Sequence, residues 1–228
     1  MFRYETHLHT YPVSRCAQVG VKETLKFYKD IEYQGVFITN HFLDGNINID
    51  GELPYEEKIE FYFSDFEEGK KFGKEIGLDV FCGVEMSYKG TDFLIFGLDK
   101  KWWTEHPEIM LMKKSDQLPV LAENGALVIQ AHPFRNPSYL DHIRLFPDQV
   151  HGVEIINSCN DELSNKMAGI YAENYNLLPF AGTDNHIGSR KTSLSGVETF
   201  RPVEDEKDFV DMILSKEYKI FSEQKRDS

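Results

Sequence analysis

Short apolar runs alternate with longer amphipathic segments along most of the 228 residues, and this alternation limits the folds open to the chain. The runs are nearly continuous in apolar character, which is typical of strands that are buried on both faces. Strands separated by helical segments predict βα units in a parallel sheet or barrel. The predicted strands are RYET near the N-terminus, VFIT (36–39), LDVFCGVEM (78–86), FLIFGL (93–98), ALVIQA (126–131), GVEII (152–156), LLPFAG (177–182) and LSGVETF (194–200).

Between these runs, apolar residues recur at the three- and four-residue spacing of a helix face. The predicted faces consist of Ala17, Val21, Leu25 and Tyr28, of Ile59, Phe63 and Phe66, and of Leu163, Met167 and Ile170. No internal repeat, low-complexity tract or linker interrupts the pattern, so we expect one domain over residues 1–228. Residues 42–77, which include the turn-rich stretch GNINIDGELP, are predicted to be an insertion that covers a site as a lid.

Charge and cysteine content restrict the setting in which the chain works. A formal net charge of -13 argues against a long nucleic acid as partner, because such a partner needs a basic face. The three cysteines are far apart and form no CxxC motif, which favours a reducing compartment without disulfides. The N-terminus does not read as a signal peptide, and no apolar run approaches the roughly 20 residues that span a bilayer. We therefore expect a cytoplasmic protein without membrane contact.

Imidazole and carboxylate side chains follow five of the predicted strands. They are His7 and His9, His41, Glu85, His132, and Asp184 with His186. The first two are one residue apart, so they point to the same side of a strand. In a parallel barrel all carboxyl-terminal strand ends lie on one face. One histidine at a strand end is usually a surface or structural residue, whereas five ends with this chemistry indicate a shared site for zinc, manganese or iron.

The motifs around these residues resemble those of the PHP superfamily, named for polymerase and histidinol phosphatase. In chain order they are THLHT, ITNH, GVEMS, IQAHP, VEIINS and GTDNH. The resemblance implies a distorted seven-stranded (β/α)7 barrel with the metal site at the carboxyl-terminal strand ends. It also implies two or three divalent ions (zinc, manganese or iron) and the hydrolysis of phosphate esters by a stand-alone enzyme.

The resemblance also implies which residues would hold the first two ions. His7, His9, Glu85 and Asp184 would bind the first ion, and Glu85 would bridge to a second ion at His132. A bridging carboxylate suits this arrangement, because two cations roughly 3.5–4 Å apart need negative charge between them.

A third ion would belong to His41 and His186, and here the sequence departs from the family pattern. Ser14 and Arg15 occupy positions where an aspartate or histidine usually completes that site. Without a third ion, His41 or His186 would be available to protonate the leaving oxygen. A second departure is Asp92, which stands where many members have a histidine; it remains a candidate ligand of the second ion through oxygen.

Candidate substrate-binding residues follow the proposed ligands in sequence. Arg135 comes after AHPF and Arg190 after DNHIGS, and guanidinium groups suit bidentate contacts with phosphate. Arg15 would supply positive charge where the third ion is in question. Asn157, at the end of VEIIN, either lines the pocket or makes a structural hydrogen bond.

These features together predict a phosphatase or phosphodiesterase that acts on a small phosphorylated metabolite. Histidinol phosphate, a nucleotide and a phosphotyrosine peptide are all open as substrates. One alternative is hydrolysis of a C–N or carboxylic ester bond, as in amidohydrolases with a similar metal site. Another is a non-catalytic, metal-binding regulatory module, which is disfavoured because the chain keeps most of the ligands.

Overall fold

The computed structural model describes residues 1–138 and 140–224. Within these ranges the chain forms nine strands, six α-helices and two short 3-10 turns. The strands are β1 Phe2–Glu5, β2 Gly35–Ile38, β3 Asp79–Tyr88, β4 Thr91–Phe96, β5 Leu127–Ala131, β6 Gly152–Asn157, β7 Leu178–Gly182, β8 Ser193–Thr199 and β9 Tyr218–Gln224. The helices are α1 Val21–Asp30, α2 Tyr55–Ile76, α3 Lys100–Glu105, α4 Lys114–Glu123, α5 Glu162–Tyr175 and α6 Glu206–Leu214.

All the described strands belong to one mixed sheet in the order β7-β6-β5-β4-β3-β2-β1-β8-β9. The prediction of an all-parallel, seven-stranded barrel is wrong in two respects. The described strand count is nine, and β4, β8 and β9 run antiparallel to their neighbours. The direction of β4 follows from its connection, because Lys89 and Gly90 alone link it to β3 and both have positive φ. A two-residue turn of this kind joins antiparallel strands.

The sheet curls into a nearly closed barrel because the chain beyond β1 meets the chain beyond β7. Leu8 and Asn185 form a parallel bridge, in which the His9 N–H donates to Asn185 O at 3.0 Å and the Asn185 N–H donates to His7 O at 3.2 Å. Strands β8 and β9 extend the sheet from β1. Their link to β7 runs through Ser195 Oγ, which donates to Gly182 O at 2.6 Å.

An aromatic layer fills the barrel at the end opposite to these bridges. Phe37 of β2 packs between the rings of Phe81 and Phe209, at centroid distances of 4.9 and 4.2 Å. Phe96 of β4 meets Phe37 edge-on at 5.4 Å. Because Phe209 belongs to α6, this helix closes the amino-terminal end of the barrel. The polar residues of the interior are thereby confined to the other end.

Helix α2 is the crossover between the parallel strands β2 and β3, and it packs on the barrel. Tyr62 donates from its hydroxyl to Asn40 O and Gly83 O at 2.9 and 3.1 Å. The Asp65 carboxylate accepts a hydrogen bond from Thr10 Oγ1 at 2.7 Å. These contacts fix the loop that follows β1. A lid role for residues 42–77 stays a prediction.

The predicted apolar face of α5 is wrong. Leu163, Met167 and Ile170 are exposed by 67%, 39% and 44%, whereas Ala168 and Tyr171 are buried against the barrel. The helix is rotated because Tyr171 packs near the ring of Phe134, at a centroid distance of 6.1 Å. In the part of the chain that the structure describes, no helix combines the length and apolar character that a membrane crossing requires.

Candidate metal centre

His7 and His9 lie just after β1, and both rings are completely buried. In each ring Nδ1 is held by a neighbouring oxygen. His7 Nδ1 lies 2.8 Å from Glu154 Oε1, and His9 Nδ1 lies 3.1 Å from Ser14 Oγ. Both rings therefore turn Nε2 towards the centre of the barrel mouth, which is the usual orientation of a metal-binding imidazole.

Glu85 of β3 lies between the imidazoles. Its Oε1 is 3.2 Å from His7 Nε2 and 3.4 Å from His132 Nε2. Its Oε2 is 3.4 Å from His9 Nε2 and 2.5 Å from His41 Nδ1. One carboxylate thus faces four rings, with each oxygen directed at a different pair. A carboxylate in such a position could be shared between two cations.

Asp184 and His132 complete the centre from the far side of the barrel. Asp184 Oδ1 lies 3.5 Å from His7 Nε2 and 3.4 Å from His9 Nε2, and its Oδ2 lies 3.8 Å from His132 Nε2. Both residues have positive φ, 58° for Asp184 and 26° for His132. Non-glycine residues in this region are uncommon and cluster at functional sites, where the surrounding structure holds them.

Glu154 of β6 holds two of these residues in place. Besides His7 Nδ1, its carboxylate accepts hydrogen bonds from the His132 N–H at 3.0 Å and from Asn157 Nδ2 at 2.9 Å. The close approach depends on Gly182, because a Cβ there would lie 2.4 Å from His7 Cβ and 2.7 Å from Glu154 Oε1. The sequence analysis did not single out Glu154. The sequence feature that could have identified Glu154 is the presence of a carboxylate inside the apolar run GVEII.

A second group of donors lies beside His9. The His9 ring stacks on His186 at a centroid distance of 4.1 Å and lies 4.3 Å from the ring of His41. Cys16, which the sequence analysis also left without a role, places Sγ 3.2 Å from His41 Nε2. Burial would raise the pKa of this thiol, but hydrogen bonds from His186 and His41 lower it to about 6.

The electrostatics of the centre favour ionised carboxylates. Burial alone would raise the pKa of Glu85, but the facing imidazoles, led by His41, outweigh it and hold this pKa well below its ordinary value. The pKa of Asp184 is likewise lowered well below its ordinary value. Burial and neighbouring rings lower the pKa of His9, which keeps its imidazole neutral. By contrast, the facing carboxylates outweigh burial at His7 and His41 and raise the pKa of both rings, so a metal ion would have to displace protons from them.

The surroundings of the donor atoms show whether these residues fit a cation. His9 Nε2, His41 Nδ1 and Glu85 Oε2 are buried and face one another at ion-pair distances, without a hydrogen bond of regular geometry among the described residues. Three sets of ligand atoms lie within 4.8 Å of one another: His7 with His9 and Asp184, His7 with Glu85 and His132, and His9 with His41 and His186. So many buried imidazole and carboxylate groups in one place are costly unless each is paired with an opposite charge or a cation. The residues therefore fit divalent cations.

The remaining predicted residues lie around this cluster in different environments. Asp92 is the second residue of β4, where it pairs with Ala131, and it forms an ion pair with Arg135, with 2.6 Å between Oδ2 and Nη2. Asn157 is buried and bonded to Glu154. Arg15 is exposed, and Arg190 donates from Nη2 to Gln18 Oε1 at 2.8 Å.

A cation that sequence reasoning missed also lies near the mouth of the barrel. Lys191 Nζ lies 2.9 Å from Ser158 O and 3.1 Å from Cys159 Sγ, and this thiol donates to Asp184 O at 3.2 Å. No motif marked the lysine, because its neighbour Arg190 offered the more familiar phosphate-binding group.

Comparison with known proteins gives matches of fold and none of sequence. No family model matches the chain, and neither does any curated protein sequence. A two-domain protein from Bacteroides vulgatus, containing a predicted PHP-like metal-dependent phosphoesterase, superposes with a TM-score of 0.67 at 13% identity. The match covers 96% of this chain and 64% of that one, which is less than two thirds of its length. This chain has the PHP-like fold.

Two further solved structures show the same fold. A proposed metal-dependent phosphoesterase from Bifidobacterium adolescentis gives a TM-score of 0.55 at 13% identity, over 93% of this chain and 96% of that one. An amidohydrolase from Chromobacterium violaceum, with bound sulfate and no metal, gives 0.51 at 11% identity, over 82% and 89%. The resemblance found in the sequence motifs is thus confirmed at the level of the PHP-like fold.

Proposed function

We propose that this protein is a metal-dependent phosphoesterase that acts on a small phosphorylated molecule. The observation that carries the proposal is the convergence of buried imidazole and carboxylate atoms at the mouth of the barrel. One structural neighbour contains a predicted PHP-like metal-dependent phosphoesterase, and another is a proposed metal-dependent phosphoesterase. The ligand set suits zinc, manganese and iron.

The two central ions are assigned to the residues around Glu85. His7, His9, Glu85 and Asp184 would hold the first ion, and Glu85 would share the second with His132. Bound divalent ions supply Lewis-acid stabilisation of phosphoryl oxygens and an activated water at neutral pH. The carboxylates of Glu85 and Asp184 would supply the negative charge that two neighbouring cations need. His41 and His186 lie beside His9 and would either hold a third ion or protonate the leaving oxygen.

Arg135 is the residue we assign to the phosphoryl group. Its guanidinium lies at the edge of the centre, fixed by Asp92, whose Oδ2 is also 4.0 Å from His132 Nε2. Asp92 therefore orients Arg135 and lies beside the second ion as a candidate ligand. Lys191 offers a further positive charge on the Asp184 side. Among the other candidates, Asn157 would act by positioning Glu154, and Arg15 and Arg190 would act at the rim.

The proposed activity is tested by phosphate release from metal-reconstituted protein. The panel contains phosphomonoesters and, with a coupled phosphatase, phosphodiesters, and it includes histidinol phosphate, nucleotides and a phosphotyrosine peptide. His9→Ala is assayed in parallel, and we expect it to lose both metal and activity. Amide and carboxylic ester substrates form a second panel, because one fold neighbour is an amidohydrolase. Turnover of only the second panel would refute the phosphoesterase proposal.

Removing the Arg135 guanidinium is expected to weaken substrate binding. Arg135→Ala should raise KM for a phosphorylated substrate about tenfold, which corresponds to the loss of a charge-assisted contact of about 1.4 kcal/mol. Steady-state kinetics provide the measurement. Arg201→Ala is the control, because this arginine pairs with Asp208 at the opposite end of the barrel. An unchanged KM in Arg135→Ala would remove the residue from the site, and Arg190→Ala would then be examined.

Glu154 is expected to act on metal affinity through His7. Glu154→Gln keeps the shape of the side chain but weakens the acceptor that fixes His7 Nδ1. Loss of such a partner typically costs roughly 10–100-fold in metal affinity. Competitive titration with a chromophoric chelator measures the change, and Glu173→Gln on the exposed side of α5 is the control. Equal affinities for the two variants would show that Glu154 has only a structural role.

A further inference from the structure

A chain of buried hydrogen bonds runs from helix α2 to the imidazole ring of His9. Its other members are Ser14, Asn40, Thr10 and Asp65, and each of the five residues is at most 2% exposed. The contacts within this chain decide which atoms carry hydrogen, because an N–H group can only donate and a carbonyl oxygen can only accept. The position of the hydrogen on His9 follows from them.

The orientation of the Asn40 amide is fixed first. The Thr10 backbone N–H lies 2.7 Å from one terminal atom of Asn40, and this atom must be the acceptor Oδ1 because a backbone N–H only donates. Asn40 Nδ2 then donates to Thr10 Oγ1 at 2.9 Å. Thr10 Oγ1 in turn donates to Asp65 Oδ2 of α2 at 2.7 Å. The amide is therefore held from both ends.

The hydroxyl of Ser14 has one hydrogen, and this hydrogen is directed at Asn40. Ser14 Oγ lies 2.8 Å from Asn40 Oδ1, which can only accept. The same hydroxyl oxygen accepts a hydrogen bond from the His41 N–H at 3.0 Å. At His9 Nδ1, 3.1 Å away, Ser14 Oγ can therefore only accept again. His9 carries its hydrogen on Nδ1, and in the neutral ring the lone pair lies on Nε2.

The carboxylates of the metal centre would favour the opposite tautomer of His9. Its Nε2 lies 3.4 Å from Glu85 Oε2 and 3.4 Å from Asp184 Oδ1. Ionised oxygens at these positions attract the ring hydrogen to Nε2, and a nitrogen that carries hydrogen has no lone pair for a metal ion. The acceptor at Nδ1 opposes this attraction, since the outer partner of a metal-binding histidine fixes its tautomer.

We propose that Ser14 is a positioning residue, which together with Asn40 holds His9 in the Nδ1–H tautomer and directs Nε2 to the first ion. The inference rests on the proposed metal-dependent function and adds a residue to that centre. Ser14 stands where the family resemblance implies a ligand of a third ion. Its hydrogen bonds give it a role beside the first ion instead. Thr10 and Asp65 act one step further away, by holding Asn40.

Nitrogen NMR of the metal-free full chain measures the tautomer. Histidine is isotopically labelled in its ring nitrogens, and the correlations of these nitrogens with the ring hydrogens distinguish Nδ1–H from Nε2–H. The His9 signals are identified by their loss in His9→Ala. We expect the wild type to carry the hydrogen on Nδ1, and Ser14→Ala to move it to Nε2. A wild-type His9 with its hydrogen on Nε2 would overturn the proposal.

Zinc affinity is the second readout, measured by competitive titration with a chromophoric chelator. Ser14→Ala should bind zinc roughly 10–100-fold more weakly, the usual cost of losing such a partner. Ser14→Thr keeps a hydroxyl at the same place and should retain both the tautomer and the affinity. Ser64→Ala is the matched control and should change neither, because its hydroxyl donates to Phe61 O on the exposed side of α2.

Thr10→Val separates positioning from packing. The valine removes the bond to Asp65 but keeps the backbone N–H that orients Asn40, so thermal stability should fall while His9 keeps its hydrogen on Nδ1. An unchanged tautomer in folded Ser14→Ala, or the same change in Thr10→Val as in Ser14→Ala, would overturn the role of Ser14. A wild type that has the Nδ1–H tautomer and binds no zinc would instead overturn the proposed metal-dependent function.

Discussion

Glu85→Gln is expected to lower the rate of phosphate-ester hydrolysis by roughly a thousandfold, which is ~4 kcal/mol of transition-state stabilisation. The glutamine amide has the same shape but carries no charge, and one of its two terminal atoms is a donor. It would face His7, His9, His41 and His132, whose nitrogens lie 2.5–3.4 Å from the carboxylate oxygens. Two cations cannot share such a group, so both metal content and kcat/KM should fall.

The measurement pairs elemental analysis with steady-state kinetics on the best substrate of the panel. Glu56→Gln, in the exposed first turn of α2, is the matched control and should keep wild-type metal and activity. Far-UV circular dichroism tests whether Glu85→Gln keeps its fold. A folded Glu85→Gln protein with full metal content and near wild-type rate would show that Glu85 bridges no ions. The centre would then have to be built around Asp184 alone.

The strand-end residues of this centre were predictable from sequence because each depends on local information. An apolar run marks a buried strand, and the residue after it lies at the mouth of the barrel. His7 and His9 needed no more than this, and Glu85 was marked as a carboxylate near the end of an apolar run. The structure brings these residues together with His132 and Asp184. Asp92 was harder, because it lies near the start of its strand. It reaches the same end only because β4 is antiparallel.

Strand direction and strand number were not predictable from apolar character. A continuous apolar run reports burial on both faces, and β4 is as buried as β5 although it runs the opposite way. The two-residue connection at Lys89 and Gly90 indicates an antiparallel pair, because parallel strands need a longer crossover. Strand β9 was missed because YKIFSEQ is polar and only partly buried, as a strand at the edge of a sheet tends to be.

The residues that position the candidate ligands were missed for a different reason. Glu154 is far in sequence from His7, and Cys16 contacts His41 only after the loop beyond β1 has folded against β2. Contacts of this kind depend on the tertiary structure, and no periodic pattern of apolar residues in the sequence indicates them. The wrong face assigned to α5 has the same origin, since Leu163 and Ile170 follow helical spacing and yet are exposed.

Phe37→Ala is expected to destabilise the fold by about 3–5 kcal/mol, the usual cost of deleting a buried phenyl ring. Phe37 is fully buried, and its ring contacts Phe81, Phe96 and Phe209. The cavity would open in the aromatic layer at the amino-terminal end of the barrel, which α6 closes. Denaturant unfolding of the metal-free chain is the right measurement, because bound metal would add its own binding energy to the stability.

Two controls separate packing from function in this experiment. Phe37→Leu keeps most of the volume and should lose less stability than Phe37→Ala. Phe200→Ala removes a ring that is 59% exposed, and it should change the unfolding free energy by no more than about 0.5 kcal/mol. Below its unfolding transition, Phe37→Ala should still bind wild-type equivalents of metal, because the aromatic layer and the ligands occupy opposite ends of the barrel. A loss of stability under about 1 kcal/mol would mean that the other rings close the cavity, since the cost of such a deletion depends on how well the site collapses.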